Sequence, residues 1–135
     1  MIVTPAAPEH RERWLALRAA LWGDEAGEPP GGDGNFVALV DDRVIGFAEA
    51  AVRHDYVNGC DTSPVLFLEG LFVDPGHRRQ GVAGVLVAAV ADWGRAQGCS
   101  EFASDAEIDN LDSHAMHRAL GFVETERVVY FRREL

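Results

Sequence analysis

Apolar and polar positions recur along the chain with two different periods, and each change of period marks an element. A short extended run at residues 2–4 precedes Pro8, which suits a first helical residue, and the helix it opens reaches about Trp22. Trp14, Leu17 and Leu21 form one apolar row of that helix and Leu15, Ala19 and Trp22 another, so the pattern predicts a helix covered on two sides. Residues 23–34, GDEAGEPPGGDG, have no periodicity and are rich in Gly, Pro and acid, which predicts a surface loop. Residues 35–40 and 43–53 read as strands joined at Asp41 and Asp42, and Asn58-Gly59 marks the turn that follows.

Residues 64–73, PVLFLEGLFV, predict a strand with Val65, Phe67, Glu69, Leu71 and Val73 on one face and Leu66, Leu68, Gly70 and Phe72 on the other. Both faces are mainly apolar, so the strand belongs in the middle of a sheet. Val82, Leu86, Ala89, Val90 and Trp93 recur at helical spacing within residues 81–97, and Gly98 stands where a left-handed cap residue belongs. Residues 99–105 are long enough for the next strand, and strand, helix and strand in one sheet require a right-handed parallel crossover. Asp109 or Asn110 caps a helix that ends near Leu120 with Gly121 at its stop, and residues 125–133 close the chain as a strand. The whole reads as one α/β (α+β) domain over residues 1–135, with no internal repeat.

Composition narrows the function. At 135 residues and 47% hydrophobic, the chain can build its own core without staples. Twenty-two acidic residues against twelve basic ones give a formal charge of -10, which argues against nucleic acid or an anionic membrane surface. The charge suits a cationic ligand, and equally suits solubility alone. Two cysteines, Cys60 and Cys99, are too few for a disulfide framework, and no segment approaches the roughly 20 apolar residues of a membrane span. A soluble cytoplasmic protein with reduced thiols is expected.

The chemistry concentrates in LEGLFVDPGHRRQGVAG, residues 68–84. Its turn sets Arg78, Arg79, Gln80, Gly81, Val82 and Ala83 at the start of a helix, where successive N–H groups and the helix dipole favour a diphosphate. A bare Gly-rich turn of this kind also describes an ordinary strand-to-helix connection. Glu69 interrupts an apolar strand, a costly place for a carboxylate unless it faces a cleft, sits at a bulge or finds an ion-pair partner. Asp105 ends the neighbouring parallel strand, and open α/β sheets bind ligands at the carboxyl ends of such strands. Neither cysteine has the neighbouring His and orienting group that activate a thiol, and His114 with His117 lacks a third metal ligand.

In their order along the chain, the 78–83 turn, its helix and the later Ala119-Leu120-Gly121-Phe122 resemble the GNAT acyl-CoA N-acyltransferases. A narrower set resembles the aminoglycoside 6'-N-acetyltransferases, the branch that forms dimers. It comprises Tyr56-Val57-Asn58-Gly59, Thr62-Ser63-Pro64-Val65, Phe67-Leu68-Glu69-Gly70, Glu101 to Ala106, Asp109-Asn110, Ser113 to Arg118, Leu120-Gly121-Phe122 and Val128 to Phe131. The segment 23–35 departs from it, being shorter and replacing a helical stretch with Gly and Pro.

The resemblance implies a GNAT fold, a mixed central sheet with a splay between two parallel strands and helices on both faces. It implies acetyl-CoA as co-substrate, without a metal. The diphosphate would lie on the amides of Arg79, Gln80, Gly81, Val82, Ala83 and Gly84 with the Arg78 and Arg79 side chains near it. The pantetheine arm would run along Leu71, Phe72 and Val73 with Asn110 beside it, and the Leu71 amide would face the developing oxyanion. Glu69 and Asp105 would hold the acceptor's ammonium and one of them would take its proton. His117 stands where many of these enzymes carry a tyrosine acid, and would either protonate the leaving thiolate or contact the sulfur. Trp22 and Tyr56 fall on the acceptor side, Trp22 also being compatible with a core role. The implied reaction is direct attack in a ternary complex by the 6'-amine of an aminoglycoside, with a polyamine or other small amine, or a non-catalytic acyl-CoA sensor, as alternatives. The implied partner is a second copy of the chain, through exchange of the C-terminal strand.

Overall fold

The hairpin of residues 35–53 shows how local sequence sets the sheet. In the computed structural model, which describes residues 1–135, Asp41 and Asp42 have φ of 50° and 63°, the two left-handed positions of a tight turn that Asp tolerates. The turn joins β2 (Asn35–Val40) to β3 (Arg43–Arg53), and β1 (Ile2–Pro5) and β4 (Val65–Val73) add antiparallel on either side. After α2 (Val82–Ala96), β5 (Phe102–Ser104) pairs parallel with β4, giving the order β1-β2-β3-β4-β5. This is the mixed sheet that the resemblance implies, and its parallel pair is the crossover read from the pattern.

Helices cover both faces. On one, α1 (Arg11–Trp22), preceded by a 3-10 turn at Pro8–His10, packs Trp14 and Leu17 on Val37, Val44 and Phe47. On the other, Val82, Leu86 and Val90 of α2 meet Ala38, Ile45, Ala48, Leu66 and Leu68 in the larger core. Burying side chains of this size stabilises by about 1.5–3 kcal/mol each. The last helix, α3 (Leu111–Ala119), begins at Asn110, whose side chain accepts the Ser113 N–H at 3.1 Å, one of the two caps the sequence offered. No helix is long and apolar enough to cross a membrane.

Four expectations need correction. The register runs Glu49 opposite Gly70 and then Ala50 opposite Leu68, so Glu69 is the extra residue of a β-bulge. The bulge reverses the alternation, bringing Leu71 and Val73 to the α2 face with Leu66 and Leu68, while Phe72 joins the α1 side. The helix α1 is covered on one side only: Leu21 is 37% exposed and Ala19 is exposed, because no element lies over its outer row. The fifth strand is three residues rather than seven. Residues 125–133 form no strand: Val129, Tyr130 and Phe131 are 75%, 84% and 91% exposed, because no edge of the same chain pairs with them.

Candidate active site

The end that the sequence assigns to the donor is built from backbone. The β4–β5 ladder ends at Leu68 opposite Ser104, and β4 runs on through Val73 without a partner on that side, which leaves a splay. A 3-10 turn at Pro75–His77 then leads to Arg79 and Gly81, whose φ of 63° and 79° turn the chain into α2. No side chain caps this helix, so its first amides keep their donors for another partner. A Cβ built on Gly81 or Gly84 meets nothing within 4 Å, and that open space fits a diphosphate on the helix N-terminus. Arg78 folds back, its Nε donating to the Val73 carbonyl at 2.9 Å and its guanidinium 5.2 Å from the Phe72 ring. It braces the cradle against the strand below.

The end that the sequence assigns to the acceptor is built from side chains. Glu69 and Asp105 directly follow the last paired residues of β4 and β5, so both stand where the strands part. Both are exposed, as chemistry at a cleft requires. Glu69 accepts two hydrogen bonds from Arg53 Nη2, at 3.0 and 3.2 Å, while the Arg53 guanidinium lies 3.5 Å over the Phe67 ring. Beside Glu69 opens a cleft of about 280 Å³, lined also by Arg18, Glu28, Pro30, Asn35 and Glu49. Trp22, Tyr56 and Asp105 are not among its lining residues. Trp22 packs on Phe47 at 5.9 Å and against Gly70, where a Cβ would come within 2.3 Å of its ring, whereas Tyr56 is 75% exposed on the β3–β4 connection.

Between the two ends stands His117. Its Nδ1 lies 2.7 Å from the Ser113 carbonyl, an oxygen that can only accept, so Nδ1 carries a proton and Nε2 faces the Ser104 hydroxyl at 2.8 Å. The Ser104 oxygen is in turn 3.3 Å from the Leu68 carbonyl, at the last rung before the splay. The Phe122 ring meets the imidazole edge-on at 5.4 Å. This places the Leu-Gly-Phe motif under the histidine.

Burial pushes both thiols up, and Cys60 is raised further by the charge of Glu101. A raised thiol is a poor nucleophile, in keeping with the sequence-based argument against an acyl-cysteine. No group of three or more His, Cys, Asp or Glu side chains is arranged to hold a metal ion.

Sequence reading missed Arg53, Ser104 and the buried pair Arg18–Glu49. The available signals were an arginine among the apolar positions of α1 and a glutamate inside the apolar run of β3. Neither reveals its partner without the fold.

A five-stranded mixed sheet, an uncapped helix start with open glycines and a splay beside two acids fit the architecture of an acyl-CoA-dependent transferase. The Acetyltransferase (GNAT) family model matches residues 3–122, and the chain belongs to that family. The aminoglycoside N(6')-acetyltransferase type 1 of Salmonella enteritidis is 48% identical, the match covering 92% of each protein, and that of Acinetobacter haemolyticus is 45% identical over 100% of this chain and 99% of the relative. The structure of AAC(6')-Iy in complex with a bisubstrate analog, CoA-S-monomethyl-acetylneamine, superposes with a TM-score of 0.90 at 45% identity, covering 99% of this chain and 98% of the other. The apo enzyme AAC(6')-IG of Acinetobacter haemolyticus gives a TM-score of 0.92 at 43% identity, with 100% and 99% covered.

Proposed function

We propose that the chain is an acetyl-CoA-dependent N-acetyltransferase that acts on the 6'-amine of aminoglycosides. The observation that carries this reading is the placing of Glu69 on the cleft and of Asp105 one residue past the last β5 rung, where β4 and β5 part, next to the open, uncapped start of α2. The relatives' names and the bisubstrate complex of AAC(6')-Iy point to the same acceptor class.

Acetyl-CoA, held by the amides of residues 79–84, supplies an acetyl group activated as a thioester. The acceptor arrives as an ammonium with a reference pKa near 10 and must lose a proton before it can attack. Glu69 and Asp105 hold the ammonium and one of them takes that proton; the amine nitrogen bonds to the acetyl carbon and the carbon–sulfur bond breaks. In the free chain Arg53 already pairs with Glu69, so the incoming ammonium competes with a resident guanidinium. The Leu71 amide is the oxyanion donor. His117, with Nδ1 committed to Ser113, presents Nε2 beside the Ser104 hydroxyl for a contact with the leaving sulfur, and the departing thiolate takes the second proton that the acylated nitrogen sheds. The charge of -10 speeds encounter with a polycation.

The exposed apolar run of residues 128–131 supports a homodimer in which the tail pairs with a second copy; light scattering should find a mass near twice 14.7 kDa. A cytoplasmic location fits the two unpaired thiols. Incubation with acetyl-CoA and kanamycin or tobramycin should release free CoA thiol. No release with any 6'-amino aminoglycoside at saturating concentration refutes the assignment, and a panel including polyamines ranks the acceptors by kcat/KM.

A further inference from the structure

The loop 23–34 forms one wall of the cleft, yet its own sequence offers little to hold it: five of its twelve residues are Gly and two are Pro. Its supports come from outside. Arg18 of α1, 6% exposed, donates through Nη1 to the Glu49 carboxylate and through Nη2 to the carbonyls of Ala26 and, at 3.1 Å, Glu28. Glu49, 2% exposed, also accepts the Trp14 indole N–H at 2.9 Å, so the anchor is fixed to the helix and to β3 at once. From the other side, the Asn35 amide nitrogen lies 3.2 to 3.4 Å from the carbonyls of Pro30, Gly31 and Gly32. These contacts leave Arg18 Nε and Asn35 Oδ1 buried without partners in residues that line the cleft.

We propose that Arg18, locked by Glu49, is a positioning residue that latches the loop 23–34 into a preformed acceptor wall, and so sets acceptor affinity without touching the donor end. The inference rests on the acetyltransferase reading for its kinetic test, but the latch itself has a readout independent of turnover. Only a planar guanidinium reaches a carboxylate and two backbone carbonyls together; a lysine ammonium is a point charge that satisfies Glu49 alone. Arg18 is thus bound to the loop through backbone, which explains how a run of Gly and Pro can serve as a wall.

The test compares the unaltered protein with Arg18→Lys and with the double variant Arg18→Met, Glu49→Gln. The double variant leaves no unpaired buried charge and keeps an acceptor for the Trp14 N–H, so it is expected to fold. In both, the acceptor KM should rise at least tenfold while the acetyl-CoA KM stays within twofold. Digestion by a glutamyl endopeptidase at Glu25–Ala26 should quicken at least tenfold, with the melting temperature of Arg18→Lys close to that of the unaltered protein. An unchanged acceptor KM, a parallel rise in both KM values, or unaltered cleavage at Glu25 overturns the latch. If the unaltered protein acetylates no aminoglycoside, the proposed function fails, and the proteolysis still decides whether Arg18 holds the loop.

Discussion

The proposed donor and acceptor sites are made of different materials. The donor end consists of strand backbone, a turn through Arg79 and Gly81, and the uncapped start of α2. The acceptor end consists of side chains: Glu69 paired with Arg53, Asp105 beyond the last rung, and a loop tied down by Arg18 and Asn35. Backbone amides recognise what every acyl-CoA shares, and a substitution changes them only by adding bulk, charge or strain. Side chains recognise one class of acceptor, and a single change redirects them. The two ends should therefore fail separately.

The largest expected break is at the acids. Glu69→Gln combined with Asp105→Asn should lower kcat/KM for the acceptor by about 10²- to 10⁴-fold, the range for loss of a general base, as read from initial-rate kinetics. The opposite break is Gly84→Asp. Its side chain enters open space, so the fold should persist, but a carboxylate placed beside a diphosphate should raise the acetyl-CoA KM about tenfold or more, some 1.4 kcal/mol, with the acceptor KM unmoved.

How much of this was legible before the fold was known follows the same division. The cradle lies within seventeen residues of one strand–turn–helix passage, so its glycines and period change announce it locally. The latch joins Arg18 to Glu49 across 31 positions, and the Glu69–Arg53 pair spans 16, distances at which no periodicity carries information. Glu69 itself was readable as an anomaly in an apolar strand, but the bulge that reverses the faces of Leu71 and Val73 was not, because bulges depend on register with the neighbouring strand. The C-terminal alternation was real, yet alternation states only that a strand is possible; residues 125–133 find no partner edge within one chain.

Smaller effects sharpen the comparison. Gly70 lies under the Trp22 ring, and Gly70→Ala should cost about 1–3 kcal/mol in thermal unfolding by overpacking, with the acceptor KM disturbed more than that of acetyl-CoA. The smallest effect lies outside both ends. Hydrogen bonds from the Thr62 side chain and the Asp61 amide hold the Glu101 carboxyl below its ordinary range. A carboxyl depressed in the folded state contributes stability that is present above the unfolded pKa, about 4.3, and lost as pH falls through the lower folded value. Glu101→Gln should therefore flatten the acid limb of a melting-temperature profile below about pH 4 and leave both KM values alone.

The separation of the two ends is tested most directly by calorimetric titration of acetyl-CoA into the Glu69→Gln, Asp105→Asn double variant. A Kd within twofold of the unaltered protein, in a variant that no longer turns over an aminoglycoside, is the predicted result. A Kd weakened tenfold or more would contradict it, because the acids would then be part of the donor site as well.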